Sequence, residues 1–126
     1  MALIMSKIED MWQRAIKEHN NRDYHEAHEL FEDIWLELED RTEKDIVQTL
    51  AQADALAVHL SSGNLGAAQR LMRQLPELLQ TFPVYYRNIG LIEFREWISQ
   101  KVLTVPNAVN VSQVANKEPP NLFNCG

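Results

Sequence analysis

The stretch Asp23-Tyr24-His25-Glu26-Ala27-His28-Glu29-Leu30-Phe31-Glu32-Asp33-Ile34-Trp35-Leu36-Glu37-Leu38 decides the fold. Tyr24, Ala27, Phe31, Ile34, Trp35 and Leu38 recur at gaps of three and four, so they fall on one face of a helix. His28 falls on that same stripe. Glu26, Glu29, Asp33, Glu37 and Asp40 mainly cover the opposite side. Asp23, with Glu26 three residues later, has the spacing in which a side-chain carboxylate caps free backbone N–H groups. A helix starting at Asp23 follows.

Comparable patterns extend in both directions. Upstream, Ser6 and Glu9 have capping-box spacing, and Ile8, Met11, Trp12, Ala15 and Ile16 continue a helical stripe that Asn20-Asn21 ends. Downstream, Thr42 with Asp45 is read as the cap of a third helix carrying Ile46, Val47, Leu50, Ala53, Ala57, Val58 and Leu60. Gly63 suits a left-handed C-terminal cap and Asn64 an N-cap for the next helix. That helix carries Leu65, Ala67, Ala68, Leu71, Leu75 and Leu78, and Pro76 within it predicts a kink or a restart. Phe82 to Tyr86 interrupts the series, and Leu91 to Leu103 reads as a fifth helix.

The segments Arg22 to Ala27 and Gly63 to Ala68 each supply a turn, a cap, an apolar residue and a small alanine. Their offset is about forty residues, long for a tetratricopeptide repeat but suited to a helical hairpin. The expected fold is all-α: two antiparallel helical hairpins with tetratricopeptide-like turns, a fifth helix and an extended C-terminal tail. Residues 1–103 form the helical domain in this reading. Residues 104–126 are an extended or disordered tail, ordered only where it lies against the body or a partner.

A chain of 126 residues with 45% hydrophobic and 24% charged residues fits one globular domain. The net charge of −6 argues against nucleic acid as a partner, since binding it requires a basic surface. Eleven acids face three bases between Glu18 and Asp45. Such asymmetry serves helix packing or steers a partner. Cys125 is the single cysteine, so no disulfide can form within the chain, which suits a reducing compartment. The apolar run Met1 to Met5 is too short for a signal peptide or a membrane span. Cytoplasmic location without membrane contact is the default expectation.

The polar residues deserving a test sit on the second and third helices. His28 and Glu32 form an i,i+4 pair, and Gln52 and His59, seven apart, share a face of the third helix. Where those faces meet, His28, Glu32, Gln52 and His59 converge. Two chemistries compete for this set. One is a hydrogen-bond network that satisfies a core-facing histidine. The other is a divalent metal site using His28, Glu32 and His59 as ligands, with Glu29 as a base in a hydrolase. The His-Glu-x-x-His spacing of zinc peptidases is absent, which favours the network. No cofactor is expected otherwise. His19, His25 and the outer acids read as solvated.

Tyr24 to Trp35, together with Gln52, His59 and Gly63-Asn64-Leu65-Gly66-Ala67, resembles the uncharacterised family called domain of unknown function 309. The resemblance implies a compact all-helical fold found in bacteria, archaea and plastid-bearing lineages, and no established activity. It puts the family's polar positions on His28, Glu29, Glu32, Gln52 and His59. Thr49 stands where the family commonly has glycine. The favoured function is a protein-interaction module, binding a partner protein or a second copy. The metal-dependent hydrolase is the alternative.

Overall fold

The computed structural model describes residues 2–125, and the side chains of the N-terminal apolar run lie outside the described residues. Met1 and Gly126, at the ends of the two terminal segments, are likewise outside. Six α-helices occur among the described residues: α1 (Ala2–Asn20), α2 (Tyr24–Glu37), α3 (Arg41–Ser61), α4 (Leu65–Leu71), α5 (Leu75–Gln80) and α6 (Ile92–Thr104). The all-α expectation therefore holds in outline. Between α5 and α6 lies a small antiparallel hairpin, β1 (Tyr85–Tyr86) and β2 (Ile89–Gly90). Arg87 and Asn88 turn it with φ of 46° and 67°. Two consecutive left-handed residues match the twist of a tight β-hairpin, a signal hidden here by the arginine.

The caps decide where helices begin. Asp23 Oδ1 accepts from the Glu26 amide at 3.1 Å, as its spacing predicts. Asn64 does the same for the Ala67 amide at 3.1 Å. For α3 the cap is Asp40, accepting from Glu43 N at 2.9 Å, rather than Thr42. Both residues have suitable side chains, but Asp40 has the extended backbone of an N-cap and Thr42 already lies inside the helix. Ser6 caps nothing, because α1 begins at Ala2 and runs through it.

The two turns that resembled each other in sequence share a geometry. Arg22 at φ 65° precedes the Asp23 cap, and Gly63 at φ 79° precedes the Asn64 cap. Glycine adopts that conformation without steric cost. The alanines that follow, Ala27 and Ala68, are fully buried. Pro76 restarts the helix as anticipated: α4 ends at Leu71 and α5 opens with the proline in its first turn.

Helix α2 lies between α1 and α3 and packs mainly on those two, while α3 also meets α4 and α5, and α5 meets α6. Trp12, Phe31, Leu50, Leu56 and Leu60 form the centre of the core. The Trp12 ring stands edge-on to Phe31 at 5.9 Å and to Tyr86 at 5.4 Å, joining α1, α2 and the hairpin.

Residues 105–125 lie against the helical body. Val105, Val114 and Leu122 are buried, and the 3₁₀ turns Val105–Asn107 and Val111–Gln113 shape the path. Side chains of the body hold the segment through its backbone. Trp97 Nε1 and Lys101 Nζ donate to the carbonyls of Asn116 and Ala115, both at 2.7 Å. Asn20 brackets Leu122, donating to its carbonyl at 2.8 Å and accepting from its amide at 2.7 Å. Near the end, Cys125 N donates to Asn88 O and Gly90 N to Phe123 O, adding a short third edge to the hairpin. Lys101 is fully buried, and burial draws its ammonium pKa down.

Candidate functional site

The apolar stripe of α2 turns His28 toward α3. Its Nδ1 lies 2.8 Å from the Ala51 carbonyl oxygen, which can only accept, so Nδ1 carries a proton and donates it. That bond fixes the ring, and Nε2 then meets the Glu32 carboxylate one helical turn along. The histidine side chain is 23% exposed and Glu32 57%, so the pair opens to solvent at one side.

The opening is a shallow notch of about 200 Å³ between α2 and α3, lined by His25, His28, Glu29, Ala55, Val58 and His59. Ala55 and Val58 make its floor apolar, and the polar atoms sit around it. The His59 pKa is lowered, first by burial and then by the charges of Arg70 and His28. His59 therefore favours the neutral imidazole, with donor and acceptor nitrogens both available. Glu29 lies at the rim, 3.9 Å from His25 Nε2, and both side chains are well exposed.

Four of the five residues singled out in the sequence, His28, Glu29, Glu32 and His59, belong to this neighbourhood. Gln52 does not share it through any hydrogen bond. Its Nε2 bonds Gln74 Oε1 at the start of α5, and its buried Oε1 has no partner. The cluster is thus a half-open notch rather than a closed interior network. Among the described residues, no three His, Cys, Asp or Glu side chains are gathered so as to hold a metal ion. Replacing His28 with alanine removes the bond to Ala51. A loss of about 1–3 kcal/mol in unfolding free energy is expected by urea titration.

A second polar centre was missed. His19 and Asp54, on α1 and α3, are fully buried and joined through Nδ1 and Oδ1 at 2.8 Å. On its other side, His19 Nε2 lies 2.8 Å from the Pro120 carbonyl oxygen. The expectation that His19 is solvated is overturned: it continues the Trp12, Ala15, Ile16 stripe, and the C-terminal segment closes over it. Asp54 likewise lies on the buried face of α3, between Leu50 and Ala57. Burial opposes the charged imidazole, but the Asp54 hydrogen bond, the Asp54 charge and the Pro120 carbonyl together raise the His19 pKa. Burial raises the Asp54 pKa against the pull of His19. The pair holds its shared proton more tightly than the separated groups would. Tyr24 stacks edge-on to His19 at 5.3 Å, and burial pushes its phenol pKa up to about 12.

A third group ties the β-hairpin to the helices. Tyr86 donates its hydroxyl proton to Glu43 at 2.7 Å and accepts from Arg87 Nε at 3.0 Å. Arg87 also pairs with Glu9 and Glu43 at 3.3 and 3.4 Å. These contacts brace the corner where α1 and α3 meet the hairpin.

Residues 12–71 match the family described as Domain of unknown function (DUF309). Over this stretch, 60 of the 126 residues, the chain is similar to that family. This stretch holds α1 from Trp12 onward, α2, α3 and α4, and with them the whole histidine notch. It also contains both His19 and Asp54, whereas Pro120 lies outside it. The DUF309 match agrees with the resemblance carried by Tyr24 to Trp35 and by Gly63 to Ala67. No curated protein and no solved structure matches the chain. No helix among the described residues is long and apolar enough to cross a membrane.

Proposed function

We propose that this protein is an interaction module whose α2–α3 notch receives a basic side chain of a partner protein. The observation that carries the reading is the notch itself: a small apolar floor bordered by Glu29, by His28 with its Glu32 partner, and by His59. A lysine or arginine stem fits an apolar floor while its cationic head meets carboxylates at the rim. The surroundings agree. Leu36 is 69% exposed and lies two helical turns beyond Glu29 on the same face of α2, with Asp33 between them. An apolar residue beside the partner's basic one would cover it. The excess of acids between Glu18 and Asp45 would draw such a segment in.

Titrating the ¹⁵N-labelled protein with short lysine- and arginine-containing peptides tests the proposal. Saturable shifts at Glu29, Leu36, Ala55 and His59 are expected, with binding lost in the Glu29→Gln/Glu32→Gln double variant. Shifts scattered over the surface, or none at millimolar peptide, would overturn it.

The alternative is a metal-dependent hydrolase with His28, Glu32 and His59 as ligands. One feature supports it: a histidine whose Nδ1–H is held by a backbone carbonyl presents Nε2 in the manner of a metal ligand. The scattered donors weigh against it. Elemental analysis separates the two, since the hydrolase requires stoichiometric metal.

A further inference from the structure

We propose that His19 is a proton-operated latch for the C-terminal segment. The argument starts from valence. Nδ1 of His19 is 2.8 Å from a carboxylate oxygen and Nε2 is 2.8 Å from a carbonyl oxygen. Two hydrogen bonds to these acceptors need two protons at the three-group contact. Both sit on the ring as imidazolium, or one resides on Asp54 while Nε2–H still donates to Pro120. Removing one proton leaves an imidazole, a carboxylate and a carbonyl with a single proton among them. One contact must then become a lone pair facing an oxygen in a site closed to solvent. Asp54 is fixed within the long helix α3. Pro120 belongs to a segment that can move away, so the bond to Pro120 is the one released.

The charges around the ring leave this assignment intact. Asp54 is the ionisable group on α3, and α2 supplies the Tyr24 phenol, which burial keeps protonated. From α6 the neighbour is the Phe94 ring at 5.5 Å. The C-terminal segment brings Glu118, paired at 3.3 Å with exposed Arg22 of the α1–α2 turn. His28 acts on Asp54 through its charge only. Arg22 is engaged by Glu118, and the His28 ring by Ala51 and Glu32, so neither touches the His19 contact. Besides His19, the segment is tied by the Arg22–Glu118 pair, by Trp97 and Lys101 to the Asn116 and Ala115 carbonyls, and by Asn20 to Leu122, the last of which does not titrate.

Release follows one proton, so above the His19 midpoint the opened population should grow about tenfold per pH unit. The raised His19 pKa places that midpoint above the ordinary histidine value of about 6.5. The test is a pH titration of the full-length ¹⁵N-labelled protein, reading the His19 ring nitrogens and the Lys117 and Leu122 amides. At pH 6 the Pro120-facing nitrogen should appear protonated. On raising the pH, the two amides should move with the midpoint of the ring while the Trp12 and Phe31 amides stay fixed. Asn20→Ala, which leaves the His19–Asp54 pair in place, should shift segment release to lower pH. Segment amides that ignore the ring's titration would overturn the latch, as would a ring that keeps one protonation state to pH 9.5 while the segment opens.

Discussion

Asp54→Ala should lower the unfolding free energy by about 3–5 kcal/mol, the range for removing one member of a buried ion pair. His19 would remain in a site with no exposure, without the carboxylate that balances its proton. A urea titration followed by far-UV circular dichroism measures this directly, and a loss below about 1 kcal/mol would contradict the assignment. The pH dependence adds a signature. The His19 pKa is raised in the fold, so its stabilisation is complete below about pH 6.5 and is lost as pH rises through the higher folded value. The raised Asp54 pKa acts with the same sign, since burial disfavours its ionised form. Wild-type stability should therefore fall on the alkaline side, and Asp54→Ala should flatten that slope.

Trp12→Ala should cost about 3–5 kcal/mol, as expected for emptying a large aromatic site. The ring is fully buried and packs edge-on against both Phe31 and Tyr86. Its Nε1 has no hydrogen-bond partner, so the loss comes from packing rather than polarity. Because Tyr86 also bonds Glu43 and Arg87, the hairpin corner should loosen with the core. Trp12→Phe retains part of the aromatic contact and should recover roughly half of the loss. Equal stability of Trp12→Ala and wild type would mean that α1 does not close the core at this point.

Helical periodicity and capping chemistry made much of this architecture legible. Asp23, Gly63, Asn64 and Pro76 act where their side chains say they should, because each constraint is local. Local rules failed where two candidates competed, as with Asp40 and Thr42, or where a non-glycine residue adopted a left-handed turn, as with Arg87. The notch was legible in part. His28 betrayed itself by standing on an apolar stripe, but nothing in the spacing said that Gln52 would bond Gln74 instead. His19 and Asp54 also stand on apolar stripes, and that same signal could have found them. Their pairing could not have been read, since its third member, Pro120, lies 101 residues from His19 in a segment without periodicity. Contacts made through a backbone carbonyl leave no side-chain signature.

The central physical claim is that the C-terminal segment is part of the folded body, pinned by His19 and Asn20. Native-state hydrogen exchange at the Leu122 amide, which donates to Asn20 Oδ1, addresses it most directly. Protection of at least a hundredfold over the free-peptide rate at pH 6 is the predicted result. Exchange at the free-peptide rate, with the helical core still protected, would contradict it.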